Sequence, residues 1–176
     1  MLPVEVIANI ADFDSHNLFN LLVLNKYISN NLCSYVSCLD LSTYSMKDKD
    51  LIQFKNLEHL RINSNEITDN CIKHLTKLKT LVMRNNYNIG SEGIKGLSEL
   101  KYLDLYRNYD MKDEGVKNLK NLETLILPYN HVITDEGVKN LRKLRYLNLF
   151  VNEKITFEGV KNLENINRLN LFNNKT

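Results

Sequence analysis

From Val36 onward the apolar positions follow a fixed order: one apolar residue, two variable, one apolar, one variable, one apolar, two variable, then Asn. The order is legible in LEHLRINSN from Leu57, LKTLVMRNN from Leu78, LKYLDLYRN from Leu100, LETLILPYN from Leu122, LRYLNLFVN from Leu144 and INRLNLFNN from Ile166. A weaker copy, VSCLDLSTY, starts at Val36. Successive copies begin 21, 21, 22, 22, 22 and 22 residues apart. Alternation at the fourth and sixth positions places leucine on one face of a short strand. Self-similarity at this period predicts stacked units, none of which can bury its apolar face alone. Their strands then form a parallel sheet with neighbours about 4.8 Å apart.

The ninth position holds Asn65, Asn86, Asn108, Asn130, Asn152 and Asn174, with Tyr44 in the first copy. An amide both donates and accepts, so stacked asparagines can satisfy the backbone where the strand ends. Removing one is expected to cost about 1–3 kcal/mol. The second half of each unit, as in ITDEGVKNL from Ile133, reads as a short helix. Thr134 or Asp135 can cap it, and Asp135 and Glu136 sit where the helix dipole favours acids. Gly93, Gly115, Gly137 and Gly159 share one position, which predicts close backbone approach between neighbouring units. Ile72, Ile94, Val116, Val138 and Val160, with Leu75, Leu97, Leu119, Leu141 and Leu163, are core columns.

These segments resemble the leucine-rich-repeat family over residues 36 to 176. The resemblance implies an α/β solenoid of about six and a half units of 21–22 residues, with a parallel concave sheet and short convex helices.

Residues 1 to 35 break the pattern and have apolar spacing that predicts two or three short helices. Pro3 can open the first, and Asp14 or Ser15 can cap the next. Leu2, Pro3 and Glu5, then Ile7, Ile10, Phe13, Asp14, Leu18, Leu21, Leu24 and Lys26–Tyr27 resemble an F-box, without its usual Trp and over a shorter segment. That resemblance implies docking to a Skp1-like adaptor of a ubiquitin ligase through Leu2, Pro3, Val6, Ile7, Ile10, Leu18, Leu21 and Leu24. The other reading is a helical cap over the open apolar end of the first repeat. The two are compatible, since one helical face could cap while another stays exposed.

The third, fifth, seventh and eighth positions of each unit project from the concave sheet face. They are small and polar in the early units. In the later units they gather Tyr102, Tyr106, Ile126, Pro128, Tyr129, Tyr146, Phe150, Val151 and Phe172, edged by Arg84, Arg107, Arg145 and Arg168. Aromatic residues with arginine are the composition of binding hot spots. The expected substrate-binding set is therefore Tyr102, Tyr106, Ile126, Tyr129, Tyr146, Phe150, Phe172, Arg84 and Arg107, acting on a protein substrate whose identity is open.

Among 176 residues, 23 are basic and 21 acidic, a balance that gives no bulk reason to hold nucleic acid or an anionic membrane. Asp40, Asp104 and Glu123 also interrupt the basic track beside the aromatics. No apolar run approaches the roughly 18 residues that span a bilayer. His16, His59, His74 and His131 have no metal-ligand spacing, and no phosphate-cradling or nucleophile motif occurs. The expectation is a non-catalytic adaptor without cofactor or metal. The 3 cysteines favour a reducing, cytoplasmic setting, with the nucleus or a host cytosol also compatible. The array reaches Asn174 after a strand, which leaves three readings: end-to-end self-association through that edge, an edge tolerated because it is short and Asn-rich, or a chain cut short there.

Overall fold

The computed structural model describes residues 33, 34, 36–42 and 46–172. All eight expected adaptor-docking residues, Leu2 through Leu24, lie outside them, as do the expected N-terminal helices, Tyr44 and Asn174.

Seven strands form one parallel sheet in chain order: β1 Cys38–Leu41, β2 His59–Ile62, β3 Thr80–Met83, β4 Tyr102–Asp104, β5 Thr124–Ile126, β6 Tyr146–Asn148 and β7 Arg168–Asn170. Between them lie one-turn helices: α1 Asp48–Leu51, α2 Asp69–Ile72, α3 Ser91–Ile94, α4 Asp113–Val116, α5 Asp135–Val138 and α6 Phe157–Val160. The register follows the repeat, with Leu39, Leu60, Leu81, Leu103, Leu125, Leu147 and Leu169 side by side across the sheet. Each helix packs on the next, so the molecule has a strand side and a helix side with the core between them. Leucines such as Leu81, Leu103, Leu125 and Leu147 are wholly buried. Each contributes about 1.5–3 kcal/mol by leaving water.

The asparagine column is buried at Asn86, Asn108, Asn130 and Asn152. Asn130 is typical. Its Nδ2 donates to the Met111 carbonyl at 2.9 Å and the Asn108 carbonyl at 3.4 Å. Its Oδ1 accepts from the amides of Val132 and Ile133 at 2.9 and 2.8 Å. One side chain thus serves two units.

Asn65 departs from this expectation and is exposed. Ser64 is the buried residue in its unit, donating from Oγ to the Met46 carbonyl at 3.1 Å. The reason is unit length. In the longer units the eighth residue adopts a left-handed backbone: Asn85, Arg107, Tyr129 and Val151, with φ of 55°, 61°, 63° and 60°. The unit beginning at Leu57 is one residue shorter and has no such residue. Its eighth position therefore falls in the ladder, and Asn65 is pushed outward. A left-handed non-glycine residue costs about 1–2 kcal/mol. Here the kink is fastened by amides of Asn85, Tyr129 and Val151 donating to carbonyls of Tyr106, Phe150 and Phe172 in the following unit, at 2.8, 2.8 and 3.0 Å.

On the helix side, Thr134 is the cap of α5, accepting from the Glu136 amide. Asp135 instead reaches forward, accepting from the Thr156 amide at 2.8 Å and hydroxyl at 2.7 Å. Asp113 does the same to Thr134, and Asp48 to Thr68. The glycine column makes room for these acids. A Cβ on Gly93 would lie 3.1 Å from the Asp69 Cα, and one on Gly159 3.0 Å from the Asp135 Cα. None of the four column glycines has positive φ, so close approach alone explains the column.

Candidate functional site

The alternation that buries the fourth and sixth residues of each unit turns the third and fifth to the opposite sheet face. The seventh and eighth residues leave the strand on that same side. Across β4 to β7 the third-position register runs Tyr102, Thr124, Tyr146, Arg168. Beyond the strand ends, an aromatic row crosses all four units. Tyr106 meets Tyr129 edge-on at 6.0 Å between ring centroids, and Tyr129 meets Phe150 edge-on at 5.5 Å. Phe150 then stacks on Phe172 at 5.8 Å. Such contacts contribute about 0.5–1.5 kcal/mol each beyond burial. Three of these rings come from seventh positions. Tyr129 comes from an eighth, and its left-handed backbone sets it between Tyr106 and Phe150.

Beneath the row, fifth-position polar groups hold the turn. Asp104 Oδ1 accepts from the Tyr106 amide at 3.1 Å, Asn148 Oδ1 from Phe150 at 3.1 Å, and Asn170 Oδ1 from Phe172 at 3.2 Å. The β5 unit solves the same problem differently. Ile126 cannot accept, but Pro128 has no amide proton to leave unsatisfied.

Asp104 is fully buried and its Oδ2 receives Arg84 from Nε at 2.9 Å and Nη2 at 2.7 Å. This hydrogen bond and charge hold the Arg84 guanidinium still more firmly protonated. Burial pushes the Tyr102 phenol above its ordinary value, and the Asp104 charge adds to that. Tyr102 is thus a neutral aromatic at any physiological pH. The Arg107 guanidinium lies 5.3 Å from the Tyr106 ring centroid, a cation–π contact.

The structure therefore brings together Tyr102, Tyr106, Ile126, Tyr129, Tyr146, Phe150, Phe172, Arg84 and Arg107 on one face. Arg84, Asp104, Tyr106, Ile126, Tyr129, Tyr146 and Phe150 line one open concavity there. Arg145, expected at the rim, sits at a second position opposite Glu123, 3.8 Å away.

The early units present a different surface. Arg61 Nε faces Asp40 at 3.4 Å, and His59 Nδ1 bonds the Thr80 hydroxyl at 3.0 Å. Polar side chains there satisfy one another.

One aromatic pair escaped the reading of the sequence. Tyr87 and Tyr109, 51% and 44% exposed, stack with centroids 5.9 Å apart. Both stand at a tenth position, just past the buried asparagine. Their separation of one unit was the available signal, but the tenth position holds His131 and Glu153 in later units and so makes no column.

Among the described residues, no group of three or more His, Cys, Asp or Glu could hold a metal. No helix among them is long and apolar enough to cross a membrane. Cys71 is buried, and burial, reinforced by the Asp48 charge, pushes its thiol up to about 12. It is a core residue rather than a nucleophile.

A leucine-rich-repeat family profile matches residues 55–71, 74–98 and 118–141. No curated protein matches the chain. Among solved structures, an internalin of Listeria monocytogenes is similar, with TM-score 0.55 and 21% identity over 82% of this chain and 50% of its own. The plant peptide hormone receptor RGFR1, in complex with RGF2, gives TM-score 0.64 and 20% identity, over 80% of this chain and 25% of its own. TLR13 in a complex with ssRNA13 gives TM-score 0.60 and 21% identity, over 80% and 22%. This chain thus spans half or less of each of those proteins, and at such identities the likeness is one of fold. The matched stretches are therefore leucine-rich repeats, and the same parallel strand and one-turn helix recur in the units between and beyond them.

Proposed function

We propose that this chain is a non-catalytic scaffold that holds a protein partner on the concave face of its later repeats. The observation that carries the reading is the row Tyr106, Tyr129, Phe150 and Phe172, continuous in space and left open on one side. Rings this size are expensive to leave in water, and burying them under a partner returns that free energy. Solenoids use extended concave faces in this way. Rigidity helps, because a sheet locked by a buried asparagine ladder loses little entropy on binding. Affinity capture with the wild-type chain and with Tyr106→Ala/Phe150→Ala tests it. The partner should be lost from the variant while its circular dichroism and urea midpoint stay near wild type. Undiminished capture by a folded double variant refutes the reading.

A second reading adds a ligase role, and residues Leu2, Pro3 and Glu5 with the apolar series to Leu24 favour it. In it the N-terminal segment docks a Skp1-like adaptor in the cytoplasm, and the solenoid presents the bound protein for ubiquitin transfer. A pull-down of Skp1 by the wild type, lost on Leu2→Ala/Pro3→Ala/Ile7→Ala, supports it. Failure of the wild type to bind leaves the scaffold without a ligase.

A further inference from the structure

The two basic residue types are segregated in this fold. Four of the six arginines, Arg61, Arg84, Arg107 and Arg168, occupy concave positions. None of the described lysines does. Guanidinium is planar, weakly hydrated and able to stack on rings, whereas ammonium is a strongly hydrated point charge. Interfaces are accordingly rich in arginine and poor in lysine. The acids on this face cancel only part of its charge. Asp40 faces Arg61, and Asp104 binds Arg84. Among the described residues, Arg107 and Arg168 meet no carboxylate. They also sit at opposite corners of the aromatic patch. Arg107 lies over Tyr106 at the β4 end, past the strand. Arg168 lies beside Tyr146 in the register of β6 and β7, at the other end of the strands. Three strand spacings and five residues of rise put the two about 20 Å apart on the diagonal.

We propose that the partner segment is acidic at both ends and apolar between: a carboxylate for Arg107, aromatic or aliphatic side chains over the Tyr106–Phe150 row, and a second carboxylate for Arg168. The proposal rests on the concave-face reading above and names the chemistry of its partner. An extended segment of about six residues spans the diagonal at about 3.3 Å per residue. Charge complementarity sets its direction and excludes basic segments, while the rings hold most of the affinity.

The test is a random dodecapeptide phage library panned against the immobilised full chain, with enriched peptides synthesised and titrated by fluorescence anisotropy. Enriched peptides should carry Asp or Glu on both sides of an apolar core. Their affinity should fall about tenfold or more on Arg107→Glu/Arg168→Glu, and again at high salt. Exchanging their acids for Lys should restore binding to that charge-reversed chain. Neutral or basic peptides that lose affinity on Tyr106→Ala/Phe150→Ala but not on the arginine reversal would overturn the charge proposal and leave the concave face as the site. Enriched peptides indifferent to the aromatic substitutions, or no enrichment, would overturn both. A labelled single-stranded oligouridine that bound this face as tightly as the peptides would also count against the proposal. Circular dichroism confirms that each variant is folded.

Discussion

The units around β1 to β3 and those around β4 to β7 add their strands to one parallel sheet in one register, yet their outer faces do opposite things. On the first three strands, Asp40 faces Arg61 and His59 bonds Thr80, so polar groups are spent on each other. On the last four, rings stack in a row and Arg107 lies on top of it. The comparison separates what builds a solenoid from what makes it useful. Positions four, six and nine maintain the coil and vary little between units. Positions three, five, seven and eight vary more freely in side chain, although fifth-position Asp104, Asn148 and Asn170 also hold the turns of their units. A surface can therefore change along the array without a change of fold.

Breaking the shared part should have the largest effect. Asn130→Ala removes four hydrogen bonds, two to the preceding unit and two within its own, and strands amides and carbonyls without partners. We expect a loss of about 3 kcal/mol or more in urea unfolding. Asn65→Ala loses one exposed bond, from the Tyr87 amide to Oδ1 at 3.2 Å, and should cost about 1 kcal/mol or less. Equal losses at the two sites would mean that the short unit is built like the long ones.

Next in size is the aromatic row. Tyr106→Ala/Phe150→Ala should weaken partner binding by about 2 kcal/mol or more. His59→Ala, on the early face, should leave affinity within about twofold. Calorimetry with a captured partner or panned peptide measures both, and a reversed order would move the site to the early units.

Asp104→Ala sharpens the contrast at its boundary. It frees Arg84 and removes the acceptor for the Tyr106 amide, so binding and stability should each fall by about 1–2 kcal/mol. An effect on stability alone would make Asp104 a support of the fold only.

The smallest expected effect concerns the cysteines, all of which precede β3. With a thiol pushed up to about 12, Cys71 should resist alkylation at pH 8 until the chain unfolds, whereas half-buried Cys38 reacts sooner. The folded state favours the protonated thiol. Its contribution is therefore complete below the unfolded value near 9 and is lost as pH rises towards 12. Rapid native-state labelling of Cys71 would show that the early units open locally.

Much of the molecule was legible from residue order alone, because burial in a repeat is periodic and period is what a sequence displays best. Leucines at positions four and six announced the strands, the ninth-position asparagines announced their ladder, and the glycine column announced close packing. Side chains destined for the outer face followed from alternation, so the members of the aromatic patch could be named in advance. The one-residue shift at Ser64 and Asn65 was not legible. It depends on whether the eighth residue turns left-handed, and that is decided by hydrogen bonds to the following unit rather than by the residue's own preference. Tyr129 lies between Tyr106 and Phe150 for the same reason. Pairing of Asp104 with Arg84 was equally hidden, since the two stand 20 residues apart and meet only because parallel strands bring neighbouring units into register. Periodic burial is written in local order, whereas contacts between exposed side chains of different units exist only once the coil has closed around them.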